Sequence, residues 1–324
     1  MKVLIVRFSS IGDIVLTFPI VSAIKQQIPN VETHFFTKKE NKSLLEGCDA
    51  IDKSYFFEKK IFETLADLKK EKYSVIIDLH KNFRSKTLKN YLNVKTYSFP
   101  KLNVQKWLYV KLKWNILKDN HIIDRYFKAV EPIGVKNQNL PIQFQIPNTI
   151  NVNLESYNLT PRQYKVIVLG AKYATKKLPI EKLNEIVKKS KGKIVLLGGA
   201  EEKNTGNELV ELNPNNRLIN LSGKLSLMES AFVLKNASIV LTHDTGLMHI
   251  ASSFNSKILV VWGNTTGKFG MYPYPNKNIQ TIDFEVKNLS CRPCSKIGYK
   301  ACPKGHFKCM NLQNVEAIVT EFNK

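Results

Sequence analysis

Asp13, behind a flexible glycine in Ser9-Ser10-Ile11-Gly12-Asp13, is the first residue of this chain suited to acid–base chemistry. With an ordinary carboxyl pKa of about 3.9 it is ionised at neutral pH. It could accept a proton from a hydroxyl as that hydroxyl attacks, or simply cap the helix that follows. A second aspartate lies in the polar loop Thr242-His243-Asp244-Thr245-Gly246, between an apolar run (Ser238 to Leu241) and a helical start at Leu247. Free amides at such a helix start suit a phosphate or diphosphate. Asp244 reads as the helix N-cap, with the Thr245 and Gly246 amides left for the anion. The loop Gly170 to Pro179 holds Lys172, Lys176 and Lys177, and a fixed lysine there could neutralise a leaving diphosphate. No Asp-X-Asp triplet occurs. That favours phosphate neutralisation by lysine and helix N-termini over a carboxylate-held metal.

Four of the five cysteines crowd the tail as Cys291-x2-Cys294-x7-Cys302-x6-Cys309, interleaved with basic residues and His306. In a cytoplasmic chain such thiols suggest metal or redox chemistry more than disulfides. The opening pair has zinc-like spacing and the closing pair does not. A structural zinc site and reduced or occasionally oxidised structural cysteines are both open readings.

Strands must position these residues. Lys2 to Val6, Val31 to Thr37, Ser74 to Leu79, Lys165 to Leu169, Lys193 to Leu197, Ser238 to Leu241 and Lys257 to Trp262 are short apolar runs. Helical stretches alternate with them, which implies parallel sheets with helices on both faces. Pro19 inside the stretch Ile14 to Gln27 predicts a kink or a restart. The pattern lapses into Asn, Gln and Pro around Ile142 to Pro161, so two domains are expected, 1–150 and 151–324. Both read as Rossmann-like and doubly wound, facing a central cleft. Ligands bind such sheets at the carboxyl ends of strands, where Asp13, Lys176, Glu202 and Asp244 all fall. Gly12 stands alone, so no dinucleotide fingerprint is present. Gly263-Asn264-Thr265-Thr266-Gly267-Lys268 has the wrong spacing for a Walker A loop.

The formal charge is +22, and nine Lys/Arg without an acid lie between Lys81 and Lys113. A solvated lysine-rich face and an anion-facing surface both fit this pattern. No helix-turn-helix, RNA-recognition or full zinc-finger signature accompanies the charge, which argues against nucleic acid. The run Val3 to Val6 is too short for a signal peptide and no segment reaches 18 apolar residues, so a cytoplasmic protein is expected.

The blocks VLIVRFSSIGDIVLTFP, GAKYATKKLP, LLGGAEE, LTHDTGLMHIAS and VVWGNTT, with the cysteine tail, run in order over nearly the whole chain. Together they closely resemble glycosyltransferase family 9, the ADP-heptose:lipopolysaccharide heptosyltransferases. The resemblance implies an α/β GT-B fold, with the acceptor on the N-terminal domain and the nucleotide sugar on the C-terminal one. It also implies inverting transfer without a metal cofactor. Asp13 then corresponds to the general base and Lys176, with Thr175 beside it, to the donor-phosphate loop. Asp244, Thr245 and Gly246 fall on the block that binds diphosphate and sugar, and Glu202, or equally Glu201, on the ribose carboxylate. Ser10, Gly12, Lys81, Arg84 and Arg125 belong to the acceptor side. The implied partners are ADP-heptose, a lipid A-linked Kdo- or heptose-terminated acceptor, and the anionic inner face of the inner membrane, where the enzyme would be peripheral. A transferase or epimerase for a different nucleotide sugar is the alternative.

Overall fold

The computed structural model describes residues 1–254, 256–274 and 279–324. It divides into two units: Met1–Leu102 with Asn120–Pro147, and Asn103–Asp119 with Asn148–Lys324. The first is built on a five-stranded sheet of β1 (Lys2–Val6), β2 (Glu32–Lys38), β3 (Lys53–Phe57), β4 (Val75–Asp78) and β5 (Thr96–Ser98). Its order is β3-β2-β1-β4-β5, and every pairing is parallel. Val3 to Val6 are fully buried, as expected of a central parallel strand covered on both faces. Between β1 and β4 the direction of winding reverses. The loops leaving those two strands, Arg7 to Ser10 and Leu79 to Asn82, therefore meet at one edge.

The second unit carries β6 (Tyr164–Val168), β7 (Lys193–Leu197), β8 (Leu218–Asn220), β9 (Ile239–His243), β10 (Lys257–Trp262) and β11 (Thr281–Glu285). Its order is β11-β10-β9-β6-β7-β8, again wholly parallel. Winding reverses between β6 and β9, which brings the loop after Val168 next to the loop after His243. The core behind them joins Ile167, Leu196, Leu241 and Val261 to Ile186, Met310, Ile318 and Phe322 of the flanking helices. Both sheets have the doubly wound α/β architecture expected from the strand–helix alternation.

Two local expectations are sharpened. The helical stretch at Pro19 is a restart: helices Ile11–Val15 and Phe18–Gln27 are separate, with Pro19 in the first turn of the second, where its missing N–H costs nothing. Beside the expected cut at 150/151, the units divide at 147/148 and the segment Asn103–Asp119 groups with the second one. Lys113 Nζ there donates to the carbonyl oxygens of Cys291 (3.1 Å) and Pro293 (2.9 Å).

Candidate active site

Asp13 sits in the first turn of helix Ile11–Val15, whose N-cap is Ser10. Its Oδ2 accepts from the Ser10 amide (3.1 Å) and hydroxyl (2.7 Å). Its Oδ1 lies 2.6 Å from Nη2 of Arg7. Arg7 is buried and itself tethered: Nε donates to the Ser9 carbonyl oxygen at 2.7 Å, and Nη1 to that of Leu79. Burial works against its charge, but Asp13, then Tyr126 and Asp78, outweigh it and raise the Arg7 pKa. The carboxylate is thus held at both oxygens and still partly exposed, a geometry that orients a base. Tyr126, on helix Ile122–Phe127, lies under the guanidinium, 5.9 Å from ring centre to Arg7 Cζ. Burial, chiefly, raises its phenol pKa and keeps it a proton donor. His80, just past β4, completes the group. Burial first, then Arg7 and Lys101, push its pKa down to about 3, so it is a neutral imidazole at working pH.

In the second unit Lys176 Nζ lies 2.7 Å from Asp244 Oδ2, and the same oxygen accepts from Thr265 Oγ1 at 3.0 Å. This pair stands at the β6/β9 reversal, where doubly wound sheets take their ligands. Lys177 pairs with Glu202 at 2.5 Å, and Glu202 also accepts from the Gly199 amide at 2.9 Å. A Cβ on Gly198 would stand 2.7 Å from Glu202 Cβ, so glycine there is what lets the carboxylate fold back over the strand end.

A family model described as glycosyltransferase family 9 (heptosyltransferase) matches residues 61–301. The chain belongs to glycosyltransferase family 9. It is 23% identical to lipopolysaccharide heptosyltransferase 1 of Campylobacter coli over 82% of this chain and 84% of that protein. It is also 23% identical to lipooligosaccharide heptosyltransferase 2 of Campylobacter jejuni subsp. jejuni serotype O:6, over 100% and 99% of the two chains. Its fold is similar to that of the E. coli heptosyltransferase WaaC solved with ADP, at TM-score 0.68 and 20% identity, covering 100% of each chain. The architecture is the GT-B type, and the protein is a glycosyltransferase.

Within this family-9 enzyme several sequence-derived placements change. Asp244 is not the cap of helix Gly246–Ala251. Thr245 is, its hydroxyl accepting from the Leu247 amide at 3.3 Å, because Asp244 is drawn sideways to Lys176. That helix is six residues long, so a diphosphate there would depend on Lys176 and individual amides more than on a long helix dipole. Thr175 faces inward: its hydroxyl donates to the Tyr299 carbonyl oxygen (3.0 Å) and accepts from the Tyr299 amide (2.8 Å). It ties the loop after β6 to the tail. Arg125 is only 4% exposed, and burial lowers its pKa, so it does not stand on an anion-facing surface. Glu202 is buried against Lys177 while Glu201 is exposed. Lys81 and the exposed Arg84 lie on the first unit. Lys81 lines a cavity of about 540 Å³ with Asp78, Phe83, Lys86 and Lys89, and its amide bonds Asp78 Oδ1 at 2.7 Å.

The sequence reading missed Arg7, His80 and Tyr126. Arg7 left one trace: a charged residue directly after an apolar strand. The tail's role was also hidden. Arg292 donates to the Gly263 (2.6 Å) and Thr265 (3.0 Å) carbonyl oxygens, so the tail braces the loop that holds Asp244. Its thiols are all free. Cys291 Sγ is 3.9 Å from His306 Nε2, and burial raises the Cys294 pKa to about 12 and that of Cys309 to about 11. Among the described residues the one set of three donor atoms within 4.8 Å of each other is Glu32, His34 and Glu71, where Lys2 and Lys53 already pair with Glu71.

The site also sets an acid limit. His243 is fully buried, and its Nε2 accepts from the Leu178 amide at 3.0 Å. Burial, then Lys177, lower its pKa from the usual 6.5 to about 4. A folded-state pKa below the unfolded one means that folding excludes a proton. The stabilisation is therefore complete above about pH 6.5 and is lost as pH falls towards 4, by up to about 3 kcal/mol. Thermal melts should show Tm dropping over that window, and His243→Gln should flatten the slope. A slope identical in the variant would refute the assignment.

Proposed function

We propose that this glycosyltransferase moves a heptose from ADP-heptose to a lipid A-linked core acceptor ending in Kdo or heptose, with inversion and without a metal. The observation that carries the donor side is the Lys176–Asp244 pair at the β6/β9 reversal, in a family-9 chain whose structural relative was solved with ADP. Lys176 would turn from Asp244 towards the diphosphate, while Asp244 is freed to accept from a sugar hydroxyl. Glu201 or Glu202 would take the ribose, and the Thr245 and Gly246 amides the phosphate oxygens.

On the first unit the acceptor would lie against Ser10, Gly12 and Asp13, with Lys81 and Arg84 meeting its acidic groups. The acceptor oxygen attacks the anomeric carbon, the bond from that carbon to the diphosphate oxygen breaks, and ADP departs with the electron pair. Asp13 takes the hydroxyl proton. A carboxylate suffices as the base because the attacking oxygen becomes acidic only as its bond to carbon forms.

No helix among the described residues is long and apolar enough to cross a membrane. The proposed acceptor puts the work at the cytoplasmic face of the inner membrane, with the enzyme peripheral. The tail is proposed to act as a brace with reduced thiols, and a zinc ion there would need those thiols to regroup.

The test is ADP release from ADP-heptose with Kdo-terminated and with heptosylated lipid A acceptors, run in EDTA, beside a panel of other nucleotide sugars. Acceptor-dependent release from ADP-heptose is expected, and elemental analysis of the same sample reads the tail's zinc. Release from another nucleotide sugar alone would overturn the donor assignment, and loss of release in EDTA would overturn the metal-free mechanism.

A further inference from the structure

We infer that residues 103–118 form an interfacial docking element that seats this protein on an anionic phospholipid surface, with Trp107 and Trp114 as the inserting side chains. Helix Asn103–Leu112 contains Val104, Trp107, Leu108, Tyr109, Val110 and Leu112, yet buries none of its residues. A helix of a water-soluble fold ordinarily turns such a set towards a core. Here Val104 is 67% exposed and Trp107 54%, and just beyond the helix Trp114 is 64% and Ile116 56% exposed. Of the fourteen exposed large apolar residues among those described, five lie between Val104 and Ile116. Val104, Trp107 and Lys111 stand at i, i+3 and i+7, on one stripe of the helix.

The segment is not a loose strand of chain. Tyr109 rests on Phe269, with ring centroids 5.9 Å apart, and Lys113 is tied to the Cys291 and Pro293 carbonyl oxygens. The exposed stripe is therefore presented on a fixed platform. Its charge selects the occupant. Lys106, Lys111, Lys113 and Lys118 lie in the segment and no acid does. Tryptophan beside lysine on a helix that faces outward is the composition of the water–bilayer boundary. Each lysine near an anionic leaflet strengthens binding about fivefold, whereas a second copy of this +22 chain would meet like charge.

This deepens the proposed function, since a lipid-linked acceptor requires the enzyme at a bilayer, and it rests on that reading only for its purpose. The chain carries its own probe. Its three tryptophans are Trp107, Trp114 and Trp262, and Trp262 is 1% exposed and bonded through Nε1 to Asp283 at 2.9 Å. Any emission change on adding vesicles thus reports the two exposed indoles.

Full-length protein is mixed with vesicles of phosphatidylcholine alone or with phosphatidylglycerol added. A blue shift, quenching by brominated acyl chains and co-sedimentation are expected with the anionic vesicles. Trp107→Ala/Trp114→Ala should bind them about tenfold more weakly, and Lys111→Gln/Lys118→Gln should lose part of the salt-sensitive binding. Circular dichroism and thermal melts verify that the variants are folded. Equal sedimentation of wild type and the double tryptophan variant would overturn the proposal. So would a concentration-dependent blue shift without lipid accompanied by a dimer mass, which would give this face to a second copy. The vesicles contain neither sugar acceptor nor nucleotide. Failure here leaves heptosyl transfer to its own assay, and failure of transfer leaves the vesicle result standing.

Discussion

Asp13→Asn should lower kcat about 10³-fold while leaving the donor KM nearly unchanged, the signature of losing a group that acts on the transferring proton. The amide keeps the shape of the side chain and can still bond Ser10, so the effect would not come from an emptied site. One complication is structural. Arg7 is buried, and Asp13 Oδ1 is 2.6 Å from it, so the single variant strands a buried cation at a cost of about 3 kcal/mol. The double variant Arg7→Gln/Asp13→Asn removes the stranded charge. Its Tm should recover towards wild type while kcat stays low. Stability and catalysis then separate in one pair of measurements. If kcat recovered together with Tm, Asp13 would be a structural ion-pair partner and the base would lie elsewhere.

Lys176→Met should lower kcat/KM about 10²-fold or more, as expected when a charge facing a leaving diphosphate is removed, and should weaken ADP binding measured by calorimetry. Lys176 is engaged by Asp244, whose Oδ2 also accepts from Thr265. Part of its binding energy is therefore spent on exchanging one anion for another. Because the two side chains touch, their effects on donor binding should not add. Asp244→Asn introduced into Lys176→Met should change ADP affinity much less than it does in the wild type. Unchanged ADP affinity in Lys176→Met would remove the lysine from the donor site.

The centre of each sheet was readable in the sequence for a simple reason. Strands β1, β4, β6, β7, β9 and β10 are covered on both faces, so each is written around a run of three or more apolar residues. The residues just past their carboxyl ends could be named as site candidates before any coordinates, among them Asp13, Lys176 and Asp244. The edge strands β3, β5, β8 and β11 were not legible. β5 and β8 are three residues long, and β11 alternates exposed with half-buried positions at a sheet edge. β3 begins with a lysine and is mostly half-buried.

Tertiary structure decided what each named residue does. Asp244 leaves the cap to Thr245 because Lys176, 68 residues away in the chain, draws it off. Thr175 turns inward to Tyr299, 124 residues on. Arg125 goes under cover while Arg7, the first residue past β1, becomes the partner of the candidate base. The segment 103–119 joins the second unit and keeps its tryptophans outside. Local sequence encodes which face of an element is apolar and where it starts. It carries no record of which distant charge will lie opposite a given side chain. Packing brings those charges together, so each pairing is set only when the sheet that carries it has formed.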